Sequence, residues 1–182
     1  MPNRSGSCSR KATHDESCGA GVKDLPVYLN DHLAGSIGAL EMLDDLIETH
    51  LGKPLGQFLR ALREDIEVDQ RELKRIMEQL GIDESGTRKA GAWVAEKVLR
   101  AKLRGGDSDE PNLALLQSLE SLSLGITGKR SLWRTLDVVL GLGAGLSGFD
   151  FARLEKRAAT QFGRVEAQRL EIARQIFTAE SG

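Results

Sequence analysis

Two charged residues stand where a helical core stripe calls for apolar ones. Asp69 follows Leu55, Leu59, Leu62 and Ile66 and precedes Leu73, Ile76 and Leu80, in alternating steps of four and three. Lys129 does the same among Leu115, Leu119, Leu122, Ile126, Trp133, Leu136 and Leu140. A lone charge buried in such a stripe costs several kcal/mol, whereas opposite charges on facing helices satisfy each other. The spacing therefore predicts a core pair between Asp69 and Lys129. In the alternative, Lys129 buries only its methylenes and carries its ammonium to the rim.

Other groups at about the same level suggest metal chemistry. Asp65, Asp69 and Glu72 share one side of the second helical stretch, His32 and Glu41 lie on the first, and Glu120 sits one residue off the stripe of the fourth. Carboxylates and imidazole projecting inward from several helices are the donor set for iron, manganese or zinc. The usual di-metal version needs Glu-x-x-His on two helices, and the chain contains none. Its nearest approach, Glu48 with His50, places the two side chains about 200° apart around a helix. Carboxylates that are solvated or paired with Arg and Lys are the first expectation, and a bound metal the alternative.

Two glycine motifs suggest nucleotides and fail on inspection. In "GITGKRS", Gly128-Lys129 is preceded five positions back by Ser123 and followed by Arg130, so two positions of a Walker A loop are wrong. The leucine rhythm also runs through the motif unbroken, which commits its amides to helix hydrogen bonds. Gly125 and Gly128 then each cost about 1 kcal/mol relative to alanine, an expense that close approach of a neighbouring helix would offset. The Gly-x-Gly-x-x-Gly of "GLGAGLSG" follows a helix rather than a strand, and reads as a connection.

These residues need helices to hold them, and the helical period covers nearly the whole chain from residue 25. The first segment places Leu29, Leu33, Ile37, Leu40, Ile47 and Leu51 on one face; the second starts at Pro54 and closes at Gly81. A third runs from Ser85 to Leu103 before "GGDSDEP", a fourth from Asn112 to about Leu140, and a fifth starts on Asp150 as its cap. The expected fold is all-α, an up-down antiparallel bundle of four to five helices forming a single domain over residues 25–182. Residues 1–24 are rich in Ser, Gly and charge and read as a disordered tail. Cys8, Cys18 and His14 in that tail make an incomplete tetrahedral metal set.

Composition narrows the partners. The formal net charge of -2 provides no global attraction to nucleic acid or anionic lipid, and aromatic residues at 4% leave little for base stacking. The basic segment at 88–104, with Arg88, Lys89, Lys97, Arg100, Lys102 and Arg104, could bind phosphates. Packing against the acidic first segment is the favoured reading of it. The absence of a signal-like or membrane-spanning apolar run leads to an expectation of a cytoplasmic protein.

The blocks "YLNDHLAGSIGALEML", "REDIEVDQREL", "GAWVAEKVLRAKLRG" and "LESLSLGITGKRSLWRTL" resemble, in this order, an uncharacterised family of small bacterial helical proteins. The resemblance spans roughly residues 27–178 and implies a ferritin-like bundle architecture without implying an activity. The functional expectation is a non-enzymatic bundle, stress-associated in setting, that mediates protein interaction or self-association as a homo-oligomer. Its alternative is a degenerate metal-carboxylate bundle.

Overall fold

A computed structural model describes residues 20–84, 111–140 and 148–178. They form four helices: α1 (Ala20–Thr49), α2 (Pro54–Gln79), α3 (Pro111–Leu140) and α4 (Phe151–Thr178), with no strand among the described residues. The protein is an all-α bundle. The tail at 1–19 (with Cys8, His14 and Cys18), the predicted third helix with its basic segment 88–104, and most of "GLGAGLSG" lie outside the described residues. Helix α1 begins at Ala20, ahead of the boundary that composition suggested. It carries Pro26 within its first turns, and Asn30 Nδ2 donates to the Pro26 carbonyl at 2.8 Å.

The helix ends follow local chemistry. Pro54 opens α2, where its missing N–H is no loss; Gly81 follows the cap residue Leu80 at φ 66, a left-handed conformation that glycine adopts without a Cβ penalty. Gly52 at φ 77 turns the chain between α1 and α2. Asp150 caps α4, accepting the Arg153 N–H at 2.8 Å on its side chain and the Leu154 N–H at 3.1 Å on its carbonyl.

Side-chain contacts fix the helix directions. Asp44 meets Arg63 and Ser36 meets Gln70, so α1 and α2 are antiparallel. Tyr28 reaches Thr135 while His32 lies against Gly128, which makes α3 antiparallel to α1. Glu155 meets Arg130 and Glu120 meets Arg169, which makes α4 antiparallel to α3. Asp65 with Arg164 and Asp69 with Arg157 give the same relation for α2 and α4. Every neighbouring pair in space is antiparallel, yet α2 and α3 run in the same direction. Residues 84 and 111 accordingly lie toward opposite ends of the bundle, as they do in an up-down order of five helices with the predicted third, which lies outside the described residues, between them. The four described helices run up, down, down and up.

The core is leucine-rich and continuous. Leu29, Leu33 and Leu43 from α1, Leu59, Leu62 and Ile76 from α2, Leu119, Ile126, Trp133 and Leu136 from α3, and Leu154, Ala158 and Val165 from α4 are all buried. Twelve of the sixteen positions in the predicted stripes of α2 and α3 are buried, Asp69 among them; Leu55, Leu80, Lys129 and Leu140 are partly buried, and Met77, Leu116 and Leu132 join the core from beside the stripes.

Candidate functional site

Asp69 is 2% exposed and sits at the meeting point of α2, α3 and α4. Its Oδ2 accepts from Lys129 Nζ at 2.5 Å and from Gln161 Nε2 at 2.9 Å, while its Oδ1 accepts from Arg157. Lys129 Nζ also donates to Gln161 Oε1 at 2.5 Å. Gln161 thus uses both ends of its amide, acceptor toward the lysine and donor toward the carboxylate. The structure brings Asp69 and Lys129 into direct contact and adds two residues from α4.

The charge count in this corner is uneven. One carboxylate faces two cations, Lys129 and Arg157, and the next ion pair outward, Asp65 with Arg164 at 2.5 Å, balances itself. A guanidinium does not give up its proton in a protein, whereas a lysine does so readily when buried. Burial pushes the Lys129 ammonium below its ordinary value, with Arg157 pushing the same way; the Asp69 carboxylate and its hydrogen bond oppose this and do not overcome it.

This corner forms the inner end of a cleft of about 630 Å³ that opens between α1 and α3. The α1 wall includes His32, Gly35 and Met42; Ile66 and Leu73 of α2 form the floor beside Asp69. On the α3 side stand Leu122, Gly125, Leu132 and Trp133. Among the described residues, no helix approaches these glycines closely: a Cβ built on Gly35 or Gly125 would meet none of them within 4 Å, and one on Gly128 would meet only His32 Cε1, at 4.0 Å. Toward the described helices these positions keep space open. Gly125 to Lys129 lies inside α3, so the amides of "GITGK" are part of a helix and do not form a phosphate loop.

The six candidate metal ligands are dispersed. Asp69 belongs to the charge cluster just described, and Asp65 is held by Arg164. Glu72 pairs with Arg75 at 2.8 Å, Glu120 with Arg169 at 3.5 Å, and Glu41 is exposed. His32 packs edge-on against Tyr28, ring centroids 4.7 Å apart, and burial lowers its pKa from 6.5 against the pull of Asp31. Among the described residues, no group of three or more His, Cys, Asp or Glu is placed to hold a metal ion. The physical reason is helix phase. Glu72, Glu41 and Glu120 lie off the buried stripes, and arginines on the same or the neighbouring helix reach two of them.

Sequence reasoning missed Arg157 and Gln161, although a signal for the second was present. The buried positions of α4 run Leu154, Ala158, Gln161, Val165 and Ile172, again in steps of four and three up to Val165. Gln161 interrupts that stripe as Asp69 and Lys129 interrupt theirs. Its apolar neighbour Phe162, which is only partly buried, fits the helical period nearly as well and obscures it in the sequence. Arg157 lies one residue off the stripe and carries no such signal. No family model, curated protein or solved structure matches this chain. The molecule thus belongs to a class defined by its own geometry, an all-α bundle whose described helices border an apolar cleft ending on a buried charge cluster.

Proposed function

We propose that this protein is a non-enzymatic binding bundle whose α1–α3 cleft receives a small apolar guest with a polar end turned toward Lys129. The observation that carries the reading is the open volume kept beside helix-interior glycines. Gly35 and Gly125 border a space of about 630 Å³, and a Cβ added at either would meet none of the described residues within 4 Å. Each glycine gives up about 1 kcal/mol of helix stability against alanine, and a fold retains such a cost more readily where the space has a use. The volume falls in the range of small-molecule sites, and apolar walls with a few convergent polar groups are their usual lining.

Titration with nonan-1-ol, followed by Trp133 fluorescence in a Trp93→Phe background, tests the reading. A saturable response is expected, and it should vanish when Gly35→Leu and Gly125→Leu together fill the cleft. An unchanged response in the filled variant would place binding elsewhere and sink the reading.

Self-association is the second reading, supported by apolar residues on the outer face of α3. Leu124, Val138 and Val139 are 73%, 75% and 58% exposed, and they fall within about 100° of one another around the helix. Sedimentation velocity should show an assembly that Val138→Glu with Val139→Glu dissociates; a monomer at all concentrations in the parent chain removes this reading.

A further inference from the structure

We propose that Lys129 is a covalent capture site, its amine condensing with the carbonyl carbon of an apolar aldehyde or ketone held in the α1–α3 cleft. The inference rests on the cleft reading above and adds a bond to it. Lys129 lines the cleft, its side chain is 14% exposed, and its Nζ donates to two fixed acceptors, Asp69 Oδ2 and Gln161 Oε1. An ammonium has three N–H groups and a neutral amine has two plus a lone pair. The two acceptors therefore satisfy the neutral amine completely and leave its lone pair in the remaining tetrahedral direction.

The charge cluster favours that neutral state. Facing Lys129 are Asp65 and Asp69 from α2 and Arg157 and Gln161 from α4, and His32 of α1 lines the same cleft. Asp65 is already bound to Arg164, and burial favours the uncharged form of His32. The remaining imbalance is one carboxylate against two cations, and loss of the lysine proton leaves a neutral Asp69–Arg157 pair. A desolvated lysine beside another cation is a recognised arrangement for an activated amine nucleophile.

In the step itself, the Nζ lone pair attacks the carbonyl carbon and a C–N bond forms. The two amine hydrogens leave with the carbonyl oxygen as one water, and a C=N bond replaces the C=O. The product nitrogen can take up one proton and donate it to Asp69. No oxidant, reductant or further co-reactant enters. The walls of Met42, Ile66, Leu73 and Leu132 select an aliphatic or aromatic carbonyl compound over a sugar.

Reductive trapping tests this on the full-length chain. Nonanal with cyanoborohydride at pH 7, followed by peptide mapping, should alkylate Lys129 several-fold more than the exposed Lys53 and Lys156, since a lowered amine pKa raises the neutral fraction and the cleft holds the aldehyde beside it. Nonan-1-ol should compete, and the Gly35→Leu, Gly125→Leu variant should lose the labelling. Arg157→Gln removes the second cation and should reduce Lys129 labelling at pH 7, while retained nonan-1-ol binding reports that its cleft is folded. Labelling of Lys129 no higher than that of Lys53 and Lys156, with nonan-1-ol still binding, overturns the capture and leaves the cleft reading intact. Loss of both binding and labelling in the parent chain overturns both, and equal labelling in the filled variant overturns capture through the cleft.

Discussion

At the scale of single residues, the cluster around Asp69 sets both stability and pH response. Removing the carboxylate leaves Arg157 without its counter-charge and the Lys129 amine without its anionic acceptor, so Asp69→Asn should cost about 3–5 kcal/mol in urea denaturation. Lys129→Met in the same chain should recover part of that loss, because the methionine fills the lysine's stem volume without its charge. A coupling energy near zero in this double-mutant cycle would mean the contact carries no energy. His32 gives a separate, pH-dependent outcome. Its folded-state pKa lies below 6.5, so the unfolded chain binds more protons once pH falls to that region. Stability from this group is thus complete above about pH 7 and declines as pH drops through 6.5 toward the lowered value. Glu155 and Glu166, held below the ordinary 4.5 by hydrogen bonds from Arg130 and Arg169, lose their contributions only at lower pH, below that value. Denaturation midpoints at pH 7.5 and 5.5 should differ less in His32→Phe than in the parent; an equal difference would assign the acid sensitivity to other groups.

At the scale of helices, the glycines divide into those that keep space and those that avoid a collision. Gly35→Ala and Gly125→Ala place a methyl where nothing stands within 4 Å, so each should raise stability by about 0.5–1 kcal/mol through helix propensity alone. Gly56, buried in the first turn of α2, is the opposite case, because a Cβ there would overlap the backbone carbonyl of His50. Backbone cannot swing aside as a side chain can, and Gly56→Ala should destabilise by about 1–3 kcal/mol. Thermal melts of the three variants should split in sign; a stabilised Gly56→Ala would show that the α1–α2 turn yields easily. Much of this level was readable in advance. The steps of four and three gave the α2 and α3 stripes, and Pro54, Gly81 and Asp150 marked their helix ends through ordinary capping chemistry. The role of Gly125 and Gly128 was not readable, because a missing Cβ is equally useful for tight packing and for open space. Only the position of α1 decides between them.

At the scale of the whole molecule, helix direction comes from the number of connections and not from the stripes. Periodicity states which face of a helix is buried, but it is blind to whether the helix runs up or down, since a stripe reads almost the same from either end. The same blindness hid the charge imbalance: Asp69 and Lys129 were visible in their stripes, whereas Arg157 became their neighbour only through the antiparallel placement of α4 against α2. The up-down-down-up order of the described helices makes a distance prediction that separates it from a bundle in which α3 runs opposite to α2. Val27, near the start of α1, and Val138, near the end of α3, are both exposed, as is Leu51 just past the other end of α1. With Cys8 and Cys18 replaced by Ser, spin labels at positions 27 and 138 should report a short distance. Labels at 51 and 138 should stand farther apart by roughly the helix length between 27 and 51, about 36 Å at 1.5 Å per residue. All three sites are solvent-facing, so the labels should perturb stability little. In that alternative, α3 would run parallel to α1 and its end would lie beside residue 51, which would reverse the two distances. It would also carry Lys129 away from His32 and dissolve the cleft, so this measurement bears on the binding site as directly as on the fold.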